Sequence, residues 1–361
     1  TVIERWPDPR DIGNRTRGWD YNNGIVLRGM SEVYDKTGHA RYLAYIKQYV
    51  DYFVDSDGNL YINSSRSTRI ESAGYNIDLV QPAILLLFLS EQYSEDSRYA
   101  TAATAVRNLF PSFPTNSQGG FWHKQKYPNE MWLDGLYMAE PFLAKYGSMH
   151  SSCGAYCTDT PVEQITLLTN RVQLPSGLFL HGWDEDSNAS WCTGACSSTG
   201  LSPEGWSRGL GWFAMALVDT LAFLPSSDPG HARLVSLLQD LAAGARTPQD
   251  PDTGLWCQVV GKCDQSDNWL ESSGSAMLVY ALNAGVDAGY LDASYRDTAL
   301  TGWNGLVDNM VGSDSIGPVI RNAAQGMSIQ RSYADYVAIG RRSNSWHGLC
   351  AIQLAAASME Y

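Results

Sequence analysis

The chain has 361 residues, 44% of them hydrophobic and 17% charged, a globular composition with length enough for a large core. A net charge of -13 argues against nucleic acid or an anionic membrane surface as a general partner, and leaves room for an anionic small substrate met by a few local cations. No run of about 20 apolar residues appears, so no transmembrane helix is expected.

The first residue is Thr1, with no basic-then-apolar leader, which fits a mature secreted form. Cys153 with Cys157, Cys192 with Cys196, and Cys257 with Cys263 form close pairs in Gly/Ser-rich loops, each able to close a small disulfide loop. Cys350, in the apolar run LCAIQLAAA, reads as a buried free thiol. A zinc site is the weaker alternative, given spacings of four, four and six within the pairs and His150 alone near one of them. N-x-S/T sequons at Asn14, Asn63 and Asn188 fit a secretory route with N-glycans.

No linker-like run divides the sequence, so residues 1–361 are read as one domain. A turn followed by a short strand recurs: DGNLYI from Asp57, GGFWHK from Gly119, SGLFLHGW from Ser176, TGLWCQV from Thr253 and IGPVIR from Ile316. The marker glycines are Gly58, Gly120, Gly177, Gly254 and Gly317. Between them lie helical patterns with apolar residues recurring at three and four, such as IDLVQPAILLLFLSEQY with SRYATAATAVRNLF. The first helix of each pair is apolar nearly all round and the second is amphipathic. An inner helix touched on both sides and an outer helix touched on one would look like this. Pairs opening near residues 20, 76, 130, 205, 271 and 343 make six. This predicts an all-α (α/α)6 toroid of helical hairpins with short β-hairpins at one end; an open solenoid is the alternative.

Polar groups just after the short strands would converge at one end of a closed ring. Asp134 sits among Met131, Trp132, Leu133, Leu136, Tyr137 and Met138, and is either structural or catalytic. Desolvation there would raise its pKa and make it a general acid usable near neutral pH. Asp78, in GYNIDLV, would complete an acid/base pair for glycoside chemistry; helix capping is its other reading. Arg208, between Trp206 and Trp212, would clamp a carboxylate with its planar fork, or form a structural ion pair. His123 and His181 each end a short strand, as donors to a sugar or as satisfied loop residues. Glu271, Ser273, Tyr333, Tyr336 and Arg341 occupy the later equivalent positions. Lys124 and Lys126 read first as solvated surface and second as a source of local positive charge, and the run Asp184 to Asp186 as a solvated loop, with calcium binding the weaker alternative because no EF-hand spacing is present. No P-loop, G-x-G-x-x-G after a strand, H-E-x-x-H or G-x-S-x-G is present.

The segments FWHKQKYPNEMWLDGLYMAEPFLAKYG, LFLHGWDED, EGWSRGLGWFAMALVDTL, TGLWCQVV and ESSGSAMLVYAL resemble the unsaturated rhamnogalacturonyl hydrolases, glycoside hydrolase family 105. The resemblance runs from about Trp19 to the C-terminal helix. It implies an (α/α)6 barrel that removes the 4,5-unsaturated uronic acid from the non-reducing end of lyase-generated oligosaccharides, with no metal or cofactor. By similarity an acid protonates C4 and water adds at C5, with Asp134 as proton donor and then base, and Asp78 as the second carboxylate. His181, Trp206, Arg208 and Trp212 match substrate-contacting positions. Trp19 and Tyr21 match pocket aromatics, and His123 and Trp132 complete the candidate set. The best expected substrate is unsaturated galacturonyl-rhamnose from rhamnogalacturonan I. Unsaturated glucuronyl-rhamnose ends are the first rival, and a non-catalytic carbohydrate-binding toroid is the second. The cysteine-bearing loops and the sequons depart from cytoplasmic bacterial members and suggest a secreted, fungal-type enzyme.

Overall fold

A computed structural model describes residues 1–14 and 17–359. After the one-turn α1 (Val2–Arg5), helices alternate between an inner and an outer ring. The pairs are α2 (Tyr21–Thr37) with α3 (Ala40–Phe53), α4 (Ile84–Gln92) with α5 (Arg98–Arg107), and α6 (Leu133–Met149) with α7 (Tyr156–Val172). The short α8 (Cys196–Thr199) precedes α9 (Ser207–Leu221) with α10 (Pro229–Arg246), then α11 (Ser272–Asp287) with α12 (Tyr295–Gly305). After the short α13 (Tyr333–Val337) comes the last inner helix, α14 (Trp346–Ser358). Each inner helix packs on the next, and α14 packs on both α11 and α2, which closes the ring. The fold is an (α/α)6 toroid, as the pattern predicts. No long outer helix follows α14 among the described residues. α1 instead lies beside α2 and Gln353.

Burial follows sequence character. Every residue of α9 is buried, whereas α10 buries one stripe, including Leu234, Leu237, Leu238 and Leu241. Caps set the helix starts: Asp20 accepts from the Asn22 N–H at the head of α2, and Asp228 precedes Pro229 at the head of α10. One expected helix starts late. The run IDLVQPA forms two 3-10 turns, Ile77–Leu79 and Gln81–Ala83, and α4 begins only at Ile84. Pro82 lacks an N–H and disfavours helical backbone at the residue before it. Asp78 therefore rides on a turn above the helix.

The expected short strands are mostly single bridges, such as Gln173 with Phe179 and Cys257 with Leu270. Regular pairing is limited to β1 (Glu130–Trp132) with β2 (Gly182–Asp184), β3 (Val311–Ser313) with β4 (Pro318–Ile320), and β5 (Ala323–Ala324) with β6 (Arg341–Arg342), all antiparallel. The turn markers have a packing cause. A Cβ on Gly177 would lie 2.5 Å from the Asp240 carbonyl in α10, and one on Gly254 would lie 2.5 Å from the Thr301 carbonyl in α12. Each turn presses on the next outer helix, and only glycine fits there with the positive φ observed. In the second repeat the positive φ falls on Gly119 rather than Gly120.

The three cysteine pairs form disulfides, and Cys350 is free and buried. The Asp184 to Asp186 run is not simply solvated. Asp184 is buried and accepts from the Asn188 and Ala189 N–H groups, each at 2.7 Å, which folds the loop after β2. Of the sequons, Asn188 is exposed, Asn63 spends its side chain within its own turn, and that at Asn14 extends outside the described residues. No described helix is long and apolar enough to cross a membrane.

Candidate active site

The β1–β2 pair places Asp134. Trp132 pairs with Gly182, and the Leu133 N–H donates to the His181 carbonyl at 3.0 Å. The chain turns directly into α6, so Asp134 is its second residue, where helix N–H groups favour negative charge. Its Oδ2 lies 3.0 Å from His181 Nε2, and His181 Nδ1 lies 2.9 Å from the Tyr336 hydroxyl. The Asp134 side chain keeps 14% exposure while His181 keeps none. Burial pushes the Asp134 carboxyl up, but His181 first, with Arg208 behind it, outweighs it and holds it below its ordinary value. The sequence reading expects the opposite direction. It counts the apolar neighbours and misses the imidazole brought in by the strand pairing.

Asp78 has the reverse tuning. Its turn is capped by Asn76, whose Oδ1 accepts from the Asp78 N–H at 3.2 Å. The cap is thus Asn76, and the Asp78 carboxylate is left for other partners. The bridge between Asn76 and Lys124 brings in His123 and Lys124. The Lys124 ammonium pairs with Asp78 Oδ2, and His123 Nε2 lies 3.5 Å from Oδ1. Burial raises the Asp78 carboxyl; Lys124 opposes this and the charge of Asp134 adds to it. Lys124 is therefore a partner of the acid pair, not the solvated surface residue its sequence context suggests. Burial, with Lys124, pushes the His123 imidazole down to about 3, so it is neutral.

The other candidates divide into three groups. Trp206 and Arg208 flank His181: the Trp206 ring centroid is 4.8 Å from that of the imidazole, and the guanidinium sits 4.3 Å over the indole. Arg208 is buried and donates to the Ala324 and Gln325 carbonyls, each at 2.7 Å, so its fork holds the end of β5. Trp132 stacks on His123 at 4.2 Å, and its indole N–H donates to Glu130. Tyr21 meets His347 Nε2 at 3.2 Å, and Trp212 stacks on Tyr137 and packs edge-on to His347. Burial first, and the charges of Asp78, Asp20 and Asp134 next, raise the Tyr21 hydroxyl's pKa, so it stays protonated.

Trp19 is not a pocket wall. It is 1% exposed, stacked on Tyr49, and its indole N–H donates to the Leu79 carbonyl at 2.9 Å. It pins the Asp78 turn from behind. Sequence reasoning also passed over His347, which the SWHG segment carries, and Glu130, a buried carboxylate receiving both the Trp132 and Trp191 indoles at 2.8 Å. Glu271, singled out by position, caps α11 and accepts from the Ala324 N–H. A cavity of about 950 Å³ lies elsewhere, beside the C-terminal ends of α7 and α10, and holds none of these groups.

Two carboxyls of opposite tuning at one end of an (α/α)6 ring are now in place, and the sequence profile of Glycosyl Hydrolase Family 88 matches residues 2–361. The chain belongs to the glycoside hydrolase 88/105 family. A family 105 glycoside hydrolase of C. acetobutylicum ATCC 824 superposes with a TM-score of 0.85 at 30% identity, covering 94% of this chain and 93% of that one. The unsaturated rhamnogalacturonyl hydrolase YesR of Bacillus subtilis is 25% identical over 316 residues, 85% of this chain and 82% of its own. An unsaturated glucuronyl hydrolase of Bacillus sp. GL1 shares the fold at 16% identity with a TM-score of 0.66, over 93% of this chain and 85% of that one. This glycoside hydrolase 88/105 chain is thus an enzyme of the hydrolase class.

Proposed function

We propose that this hydrolase removes a 4,5-unsaturated uronic acid from the non-reducing end of lyase-generated oligosaccharides, with unsaturated galacturonyl-rhamnose as its substrate. The observation that carries the reading is the Asp134–His181–Tyr336 chain facing Asp78, in a fold whose relative YesR is an unsaturated rhamnogalacturonyl hydrolase. Asp134 is the proton donor. Its carboxyl is low in the free site, and an anionic uronate seated beside it would raise it by like-charge repulsion, so substrate binding favours the protonated acid. Asp134 gives that proton to C4, and the C4=C5 pair forms the new C–H bond. Positive charge then develops at C5 and is shared with the ring oxygen, in the field of Asp78. Asp134, now a carboxylate, takes a proton from water as its oxygen bonds to C5. The hemiketal opens and the leaving sugar departs, for a net consumption of one water. His181, Trp206, Arg208, Trp212, Tyr21, His123 and Trp132 are proposed to shape the pocket. The disulfides fit export, which we propose as its location.

The conjugated enol ether absorbs in the ultraviolet, and hydration destroys it. Loss of absorbance from lyase-digested rhamnogalacturonan is expected with wild type and not with Asp134→Asn. No loss on this substrate, with loss on unsaturated glucuronyl ends, would overturn the substrate assignment. No loss on either would overturn the reaction.

A further inference from the structure

Glu140 is a buried carboxyl that the chemistry above does not use. It lies on α6, 1% exposed, and its Oε2 has no hydrogen-bond partner among the described residues. His123 Nδ1 is a second buried polar atom without one. Buried polar atoms in folded proteins are nearly always satisfied by protein or by ordered water. Both residues line the same small cavity, about 10 Å³, walled by Ile77, Phe121, Met131 and Leu136. That is about the space one water needs, and a buried water needs at least two polar partners. Gln164, at the cavity edge, is not a competitor: its Oε1 accepts from the Phe121 N–H and its Nε2 donates to the Gly119 carbonyl.

The ring that presents Nδ1 to this cavity presents Nε2 to Asp78 Oδ1, 3.5 Å away. A neutral imidazole donates from one nitrogen and accepts at the other, so whatever donates to Nδ1 decides that Nε2 carries the hydrogen. We propose that Glu140 is a positioning residue that acts through one water in this cavity, holding His123 in the tautomer whose Nε2–H faces Asp78. The protonated carboxyl donates to the water, and the water donates to Nδ1. Burial alone raises the Glu140 carboxyl well above its ordinary value, consistent with a donor. Nε2–H then faces Asp78 Oδ1 from 3.5 Å, while the Lys124 ammonium pairs with Oδ2. The ring plane is set by the stack on Trp132, and the approach to α6 is open because residue 135 is glycine: a Cβ there would lie 3.2 Å from Nδ1.

The kinetic half of this proposal rests on the uronyl hydrolase reading; the tautomer half does not. The test is nitrogen NMR of the histidine-labelled full chain, with the His123 signals assigned by their loss in His123→Gln. Wild type is expected to show Nε2–H. Glu140→Gln, which keeps a donor of the same size, should retain it, and Glu140→Met should give mixed tautomers. In turnover, Glu140→Met is expected to lower kcat on the order of tenfold with KM within about twofold, and Glu140→Gln to recover most of that loss. An Nδ1–H wild type would overturn the proposal, and that measurement does not depend on either variant folding. So would an unchanged tautomer in Glu140→Met. The expected tautomers in an enzyme inactive on every unsaturated uronide would sink the activity and leave the Glu140 relay standing.

Discussion

Asp134 Oδ2 and His181 Nε2 lie 3.0 Å apart across 47 residues of chain, and the Leu133 N–H bonds the His181 carbonyl beside them. Side chain and backbone thus tie His181 to two successive residues at the head of α6, Asp134 and Leu133. Because Tyr336 engages the far nitrogen of the ring, the imidazole cannot swing away without breaking a second buried hydrogen bond.

His181→Ala should move the ionisation of Asp134 upward, since it removes the largest influence opposing burial. The pH profile of kcat/KM would shift toward higher pH, with its maximum lowered on the order of 10²-fold because the bond that orients Asp134 is gone. A folded-state pKa below the ordinary value stabilises at pH above that value and is lost as pH falls through it. The stability gap between variant and wild type should therefore be widest near neutral pH and narrow below about 3.8. A profile that stays in place would remove His181 from control of Asp134.

Lys124→Met should raise the Asp78 carboxyl further, leaving burial and the Asp134 charge unopposed by their chief counterweight. Asp78 would then hold its proton to higher pH. The expected result is a loss of roughly tenfold in kcat/KM, largest on the acid side. Parallel pH profiles for Lys124→Met and Lys126→Met check it, because Lys126 acts on Asp78 only weakly and from further down the order of influences.

Trp19→Phe keeps the ring stack and deletes the indole N–H that holds the Leu79 carbonyl. A buried acceptor left without its donor costs about 1–3 kcal/mol. Urea denaturation should show that loss, and kcat should fall with it, because the turn carrying Asp78 loses its anchor. Full activity in a destabilised variant would show that the turn is held by other contacts.

Glu140→Gln should gain stability relative to wild type as pH rises. The folded-state carboxyl is raised, so its contribution is complete below the ordinary value of about 4.5 and is lost as pH climbs toward its raised value. Glutamine has no such dependence. Melting curves of both proteins from pH 4 to pH 8 should diverge in favour of the variant; curves that run parallel would mean Glu140 is not buried as a neutral acid.

The ring was legible because helix periodicity is local. The all-round apolar character of WFAMALVDTLAFL and the striped HARLVSLLQDLAAG report how many neighbours each helix touches, and α9 and α10 are buried accordingly. The late start of α4 was also written locally, in Pro82, although the apolar run following it hides the break. The site was legible only as residue types at repeat-equivalent positions. Lys124 looked like surface because its neighbours in sequence are polar, and Trp19 looked like a pocket aromatic because nothing local shows that Leu79 lies above it.

The sequence alone determined the helical pairs, the turns that only glycine permits and the presence of Asp134 at a helix opening, because each depends on contacts a few residues long or on backbone stereochemistry. Only the tertiary structure decided the ionisation of those carboxyls. Their partners come from other repeats: His181 reaches Asp134 through the β1–β2 pairing, and Lys124 and His123 reach Asp78 through a bridge to Asn76. Burial and nearby charge act on a pKa in opposite directions of comparable size, so the sign depends on atoms a few ångströms away whose place in the chain gives no hint of their nearness.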